Sequence, residues 1–194
     1  MPHAVRAFML WNLYLAAIPT ALAVVLFRRP TRTGPAWWLT FGAWLLFLPN
    51  APYVLTDVVH MFHDLRVAPA RGRVSVVLVT YAVFAAAGLA SYVVSMQLFR
   101  RFLHRRAPSR LVAPILLTVH GLCVVAMGLG RMVRLNSWDI VLAPRSVLAS
   151  VMHVPHPFTV VLLGTMFVVV GVSAYAMAAV GDKALAQLRR LKPN

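Results

Sequence analysis

Long apolar runs separated by short basic segments dominate the chain. The runs cover Ala7 to Phe27, Ala36 to His63 with an interruption, Val74 to Phe99, Leu111 to Gly130, and Phe158 to Val180. A hydrocarbon core ~30 Å thick takes about 20 mostly apolar residues per helix. Backbone groups in lipid must be paired internally, which leaves helices or a closed barrel. Barrel strands alternate over roughly 10 residues, and these runs are longer and continuous. The pattern therefore predicts an all-α polytopic transmembrane bundle of about five helices, forming a single integral membrane domain over residues 1–194. A weaker stretch, Pro144 to Pro157, is too short to span and predicts an interfacial or re-entrant helix before the last run.

The second run carries Pro49-Asn50-Ala51-Pro52. From Ala36 to Pro49 a helix reaches only about 21 Å, too little to cross alone. The break therefore lies at membrane depth, or the helix continues through it with a kink. A residue before proline is disfavoured in α geometry, which applies to Leu48 and Ala51. Asn50 is suited to cap the restarting helix, with Pro52 tolerated in its first turn.

Composition agrees with the pattern: 61% of the residues are hydrophobic, 12% are charged, and the formal net charge is +15. That charge does not point to nucleic acid, because the basic residues sit in short segments between apolar runs. Positive loops mark the cytoplasmic side, where anionic lipid also favours them. With the N-terminus outside, the inner segments hold 12 of the 19 lysines and arginines, among them Arg28, Arg100, Arg101, Arg105 and Arg110. The expectation is an N-out, C-in protein whose first helix is not cleaved. It would have membrane lipids as partners, including anionic lipid at the inner loops, and no nucleic acid. Small residues at four-residue spacing, Ala87, Ser91 and Ser95, then Ala174 and Ala178, offer faces for close helix packing. Cys123 is the single cysteine.

The polar residues are few and grouped. Tyr53, Asp57, His60 and Asp64 recur at spacings of four, three and four, which places them on one helical face. His63 lies at its edge. A second polar segment, Gly130-Arg131 through Arg134, Asn136, Ser137, Trp138 and Asp139, emerges on the same outer side. Three of the four acidic residues, Asp57, Asp64 and Asp139, fall in these two segments. An ionisable group within a membrane helix is costly and calls for a partner. Arg131 or Arg134 is the expected partner of Asp57. The arrangement would serve equally as a clasp between helices or as a site.

Asp57, His60 and Asp64, with Asp139, His153 or His156, could supply a metal shell, but none of the strong zinc spacings is present. An Asp57–His60 acid–base pair lacks an accompanying nucleophile motif. His120, midway along the fourth run, could join a proton relay or serve as a hydrogen-bonding strut. No cofactor is expected.

Trp11-Asn12-Leu13, Leu48-Pro49-Asn50-Ala51-Pro52-Tyr53 with Thr56-Asp57 and His60, and Gly130-Arg131 through Asn136-Ser137-Trp138-Asp139 together resemble an uncharacterised bacterial membrane family, domain of unknown function family thirteen sixty-one. The resemblance covers most of the chain. It implies a bacterial inner-membrane, multi-pass protein and carries no established activity. The favoured reading is a transport or binding component with an outward-facing polar cluster. The alternatives are a membrane-embedded enzyme using the Asp57/His60 face and a non-catalytic structural subunit.

Overall fold

The computed structural model describes residues 2–28, 33–67, 71–133, 142–152, 161 and 163–176. Among them the regular structure is helical: α1 (Pro2–Phe27), α2 (Pro35–Phe47), α3 (Asn50–Tyr53), a 3-10 turn (Val54–Asp57), α4 (Val58–Val67), α5 (Arg71–Arg106), α6 (Ser109–Val133), α7 (Pro144–Met152) and α8 (Leu163–Ala176). Four helical stretches are long and apolar enough to cross a membrane: Ala7–Phe27, Pro35–Arg66, Val74–Arg106 and Ser109–Arg131. The apolar helix α8 is shorter, and the remainder of the fifth expected span lies outside the described residues. This is the architecture of a multi-pass membrane protein. Its outer surface fits, because Leu10, Leu39, Val79, Val83, Leu117 and Val168 all point outward, more than half exposed. A soluble monomer rarely presents so much contiguous apolar surface.

The chain runs down α1, returns through α2 to α4, and descends again in α5, so α1 and α5 lie parallel and form the largest interface. Small residues make that interface close. Ala16 and Ala23 of α1 are buried against it, and Ser95 of α5 is fully enclosed. Ser91 Oγ donates to Ala16 O, and Thr20 Oγ1 donates to Ser91 O at 2.9 Å. The Ser91–Ser95 face is thus used within this chain. At the foot of the bundle, the Phe27 ring contacts Trp37, Phe41, Trp44, Phe99 and Phe102, with centroids 5.0–6.4 Å apart. There Arg105 Nη2 donates to Phe27 O at 2.8 Å. That carbonyl is one of those left without an intrahelical donor at the end of α1.

The second span is kinked and keeps helical geometry throughout. Leu48 (φ −53°, ψ −40°), Pro49 (φ −61°, ψ −25°) and Val54 (φ −56°, ψ −23°) are all in the right-handed helical region. The sequence argued against this geometry at Leu48 and Ala51. Burial overrides the local preference, since Leu48 and Ala51 are both fully enclosed. The prolines still leave their mark, because neither can donate to a preceding turn. Ala51 N bonds Leu48 O at 3.2 Å in a tighter pattern, and Tyr53 N bonds Pro49 O at 3.1 Å. Asn50 is not the cap of a restarting helix. Pro49 holds that position, and Asn50 Nδ2 donates back to Phe47 O at 3.1 Å. The kink seats against Gly88 of α5, where an added Cβ would lie 2.5 Å from Ala51 O and 2.2 Å from Val54 Cγ2. Glycine permits this approach of two backbones. Gly88 stands near the middle of the Val74–Phe99 run, so the kink lies at membrane depth.

Candidate functional site

Asp57 closes the 3-10 turn and is completely buried, at 0% exposure. The tight turn after the kink directs it at α1, where Asn12 Nδ2 donates to its Oδ2 at 3.1 Å. Oδ1 is buried and has no hydrogen-bond partner among the described residues. Arg131 and His60 act on the carboxylate through space, and neither forms an ion pair with it within 4 Å. The partner expected from sequence was arginine, and the one observed is an asparagine 45 residues away. Arg134, the other expected partner, lies outside the described residues, as do Asn136, Trp138, Asp139, His153 and His156.

Of the residues expected on one face, Asp57 and His60 both turn toward α1, against Asn12 and Phe8, while Asp64 reaches α5. The 3-10 turn tightens the winding between Tyr53 and Val58, which shifts the phase of everything after it. Asp64 accepts a hydrogen bond from the Tyr81 hydroxyl of α5 at 3.0 Å. His60 is exposed, edge-on to Phe8 of α1 with ring centroids 5.4 Å apart. His63 is likewise exposed. Among the described residues, no group of three His, Cys, Asp or Glu side chains could hold a metal ion.

Beside this cluster lies a cleft of about 540 Å³, bounded by α1, the kink and α6 and roofed by Val147 of α7. Its apolar walls include Leu15, Leu45, Leu46, Leu122, Ala126 and Met127, and its polar groups come from Trp11, Asn12, Asn50 and Tyr53. No charged side chain lines it among the described residues. Asn12 therefore has two roles, facing the cleft and holding Asp57 behind it. The volume falls in the range of small-molecule sites, about 300–1,000 Å³, which are mostly apolar with a few placed polar groups. Val147 of α7, within the short helix expected before the last run, is part of the cleft lining.

His120 is a strut. Its Nδ1 lies 2.6 Å from the Tyr92 hydroxyl of α5, and its Nε2 lies 3.1 Å from Phe167 O of α8. A neutral imidazole protonated on Nε2 satisfies both, since a carbonyl can only accept. Gly171 leaves room for the ring, since a Cβ there would stand 3.3 Å from Nε2. One side chain thus joins α5, α6 and α8.

Sequence reasoning missed Asn12, Tyr81 and Tyr92. Asn12 had a signal, as an amide in the middle of an apolar run needs a partner. Tyr81 and Tyr92 had none, because tyrosine is ordinary in membrane helices. No curated protein and no solved structure matches the chain. The Trp11-Asn12 pair, the kink and the Arg131 region, which together build this site, all fall within residues 11–172, the stretch matched by the family described as "Protein of unknown function (DUF1361)", and the chain belongs to that family.

Proposed function

We propose that this chain is a binding or transport component of the bacterial inner membrane, N-terminus outside, which takes its ligand in the cleft beside the kink. The observation that carries the reading is the cleft itself. Asn12 places its amide in the wall while holding a buried carboxylate behind it. A ligand that drew on the Asn12 amide would change the hydrogen bonding of Asp57, so occupancy of the cleft is coupled to the helix contacts around the kink. Buried polar groups in membrane helices commonly mark ligand or ion pathways, and kinked or discontinuous helices commonly frame them. The basic inner segments, with Arg100, Arg101 and Arg110, are suited to anionic headgroups at the cytoplasmic face.

The test is ligand-induced stabilisation. A ligand that binds only the folded state raises the melting temperature, the stabilisation growing with the logarithm of its concentration over Kd. Detergent-solubilised protein is heated with two extracts of the expression host, one of total lipid and one of water-soluble metabolites. At least one should raise the midpoint of the wild type and leave that of Ala126→Phe, which fills the cleft, unchanged. Failure of both would leave Asp57–Asn12 and Tyr81–Asp64 as purely structural ties between helices.

A further inference from the structure

We propose that the cleft holds one acyl chain of a membrane lipid, admitted sideways between α2 and α6. The proposal rests on the reading of the cleft as a ligand site and names the ligand.

Depth gives the first argument. The cleft follows α6 from Leu122 to Gly130 and the second span from Leu45 to Tyr53, about 12 Å along each helix. That is most of one leaflet, given a core ~30 Å thick. Its wall from Asn50 to Tyr53 is level with Gly88, near mid-membrane, and Val147 of α7 lines it as well.

Polarity gives the second. Leucines line it from three helices, Leu15, Leu45 and Leu122, and its polar groups are those of Trp11, Asn12, Asn50 and Tyr53. The lining has no charged side chain among the described residues, so it matches the uncharged part of a lipid and offers nothing to a phosphate. A water-soluble solute would have to give up its hydration to a wall that is mostly leucine, valine and methionine.

Access gives the third. α6 packs on α5, on α7 and, through Gly121, Gly128 and His120, on α8, and makes few contacts with α1 and α2. Leu122 and Val125 are both lining and outward-exposed, so the wall of the cleft continues into the outer apolar surface of the bundle. What borders that surface in a bilayer is lipid.

The experiment uses the full chain in nanodiscs of phosphatidylcholine and phosphatidylglycerol, followed by transfer to mild detergent and native mass spectrometry. We expect one phospholipid to survive per wild-type chain. Retention should fall at least tenfold in both Ala126→Phe and Leu122→Trp. It should be unchanged in Val83→Trp, on the exposed face of α5 away from the cleft. Melting curves of each variant establish that it is folded. Equal retention in folded Ala126→Phe and Leu122→Trp would overturn the proposal, as would a wild type that retains none. A lipid-free dimer that the cleft-filling variants dissolve would overturn it in favour of a helix from a second copy. If retention fails while the water-soluble extract still raises the wild-type midpoint, the lipid assignment falls and the cleft remains a ligand site.

Discussion

Replacing Gly88 with alanine tests the seating of the kink at its tightest point. The new Cβ would stand 2.2 Å from Val54 Cγ2 and 2.5 Å from Ala51 O, where ordinary contact begins at 3.4 Å. Val54 is 2% exposed and has little room to turn away. Ala51 O is backbone, held in a segment whose bonds are already rearranged around two prolines. The carbonyl must retreat by about 0.9 Å, and the kink must go with it. Overpacking a filled interior costs about 1–3 kcal/mol, and a backbone obstacle belongs at the upper end. Alanine returns about 1 kcal/mol as the better helix former. The net expectation is a loss of about 2 kcal/mol, or roughly 30-fold in the folding equilibrium. Titration from dodecylmaltoside into dodecyl sulfate, followed by circular dichroism and by alkylation of buried Cys123, measures it. Val54→Ala in the same chain removes the shorter contact and should recover part of the loss, leaving the share due to Ala51 O. A Gly88→Ala change within 0.5 kcal/mol of the wild type would refute the close approach. Full recovery in the double variant would refute the part assigned to the carbonyl.

Asn12→Leu should destabilise by about 1–3 kcal/mol, the cost of leaving a buried polar atom of Asp57 without its partner. Asn12→Leu/Asp57→Leu should stand closer to the wild type than Asn12→Leu alone, and additive losses in this cycle would dissolve the pair. Tyr92→Phe should cost about 1 kcal/mol, and His120→Leu more, because it also frees the Phe167 contact; an unchanged unfolding midpoint in both would remove the strut. For orientation, in a Cys123→Ser background Arg66→Cys should react with an impermeant thiol reagent in intact cells while Arg101→Cys is protected. The reverse labelling would invert the proposed topology.

The apolar runs were legible because lipid imposes a length and a composition that no soluble helix needs. The Ser91–Ser95 face and the His120 strut were legible for a related reason, since small and polar residues inside a membrane helix must be doing something against a neighbour. The kink was legible from Pro49 and Pro52, but its course was not. Proline shows which bonds are lost, whereas the bonds that replace them depend on what presses on Leu48 and Ala51. Asp57 was recognised as needing a partner, and formal charge pointed to arginine. Among the described residues the partner is Asn12, because that pairing is decided by how α1 lies along the second span, a relation between residues 45 apart that spacing along one helix cannot carry. That Asp64 reaches Tyr81 of α5 while Asp57 and His60 meet α1 depends on how the helices lie, which no hydrophobic pattern announces.

The length of α5 has a consequence for the membrane around it. Its apolar stretch Val74–Phe99 extends about 39 Å, against about 31 Å for Ala7–Phe27 of α1. The two helices are parallel, and the Arg105–Phe27 bond sets their feet level, so the surplus emerges entirely at the other end, beyond Tyr81 and alongside α4. A hydrophobic segment longer than the local core is accommodated by tilt or by thickening of the bilayer. In this fold the accommodation is one-sided: one leaflet meets a level edge, and the other meets a ridge. Hydrophobic mismatch therefore acts where Asp64 grips Tyr81. In a bilayer too thin for α5, the strain falls first on that contact, at one end of the bundle.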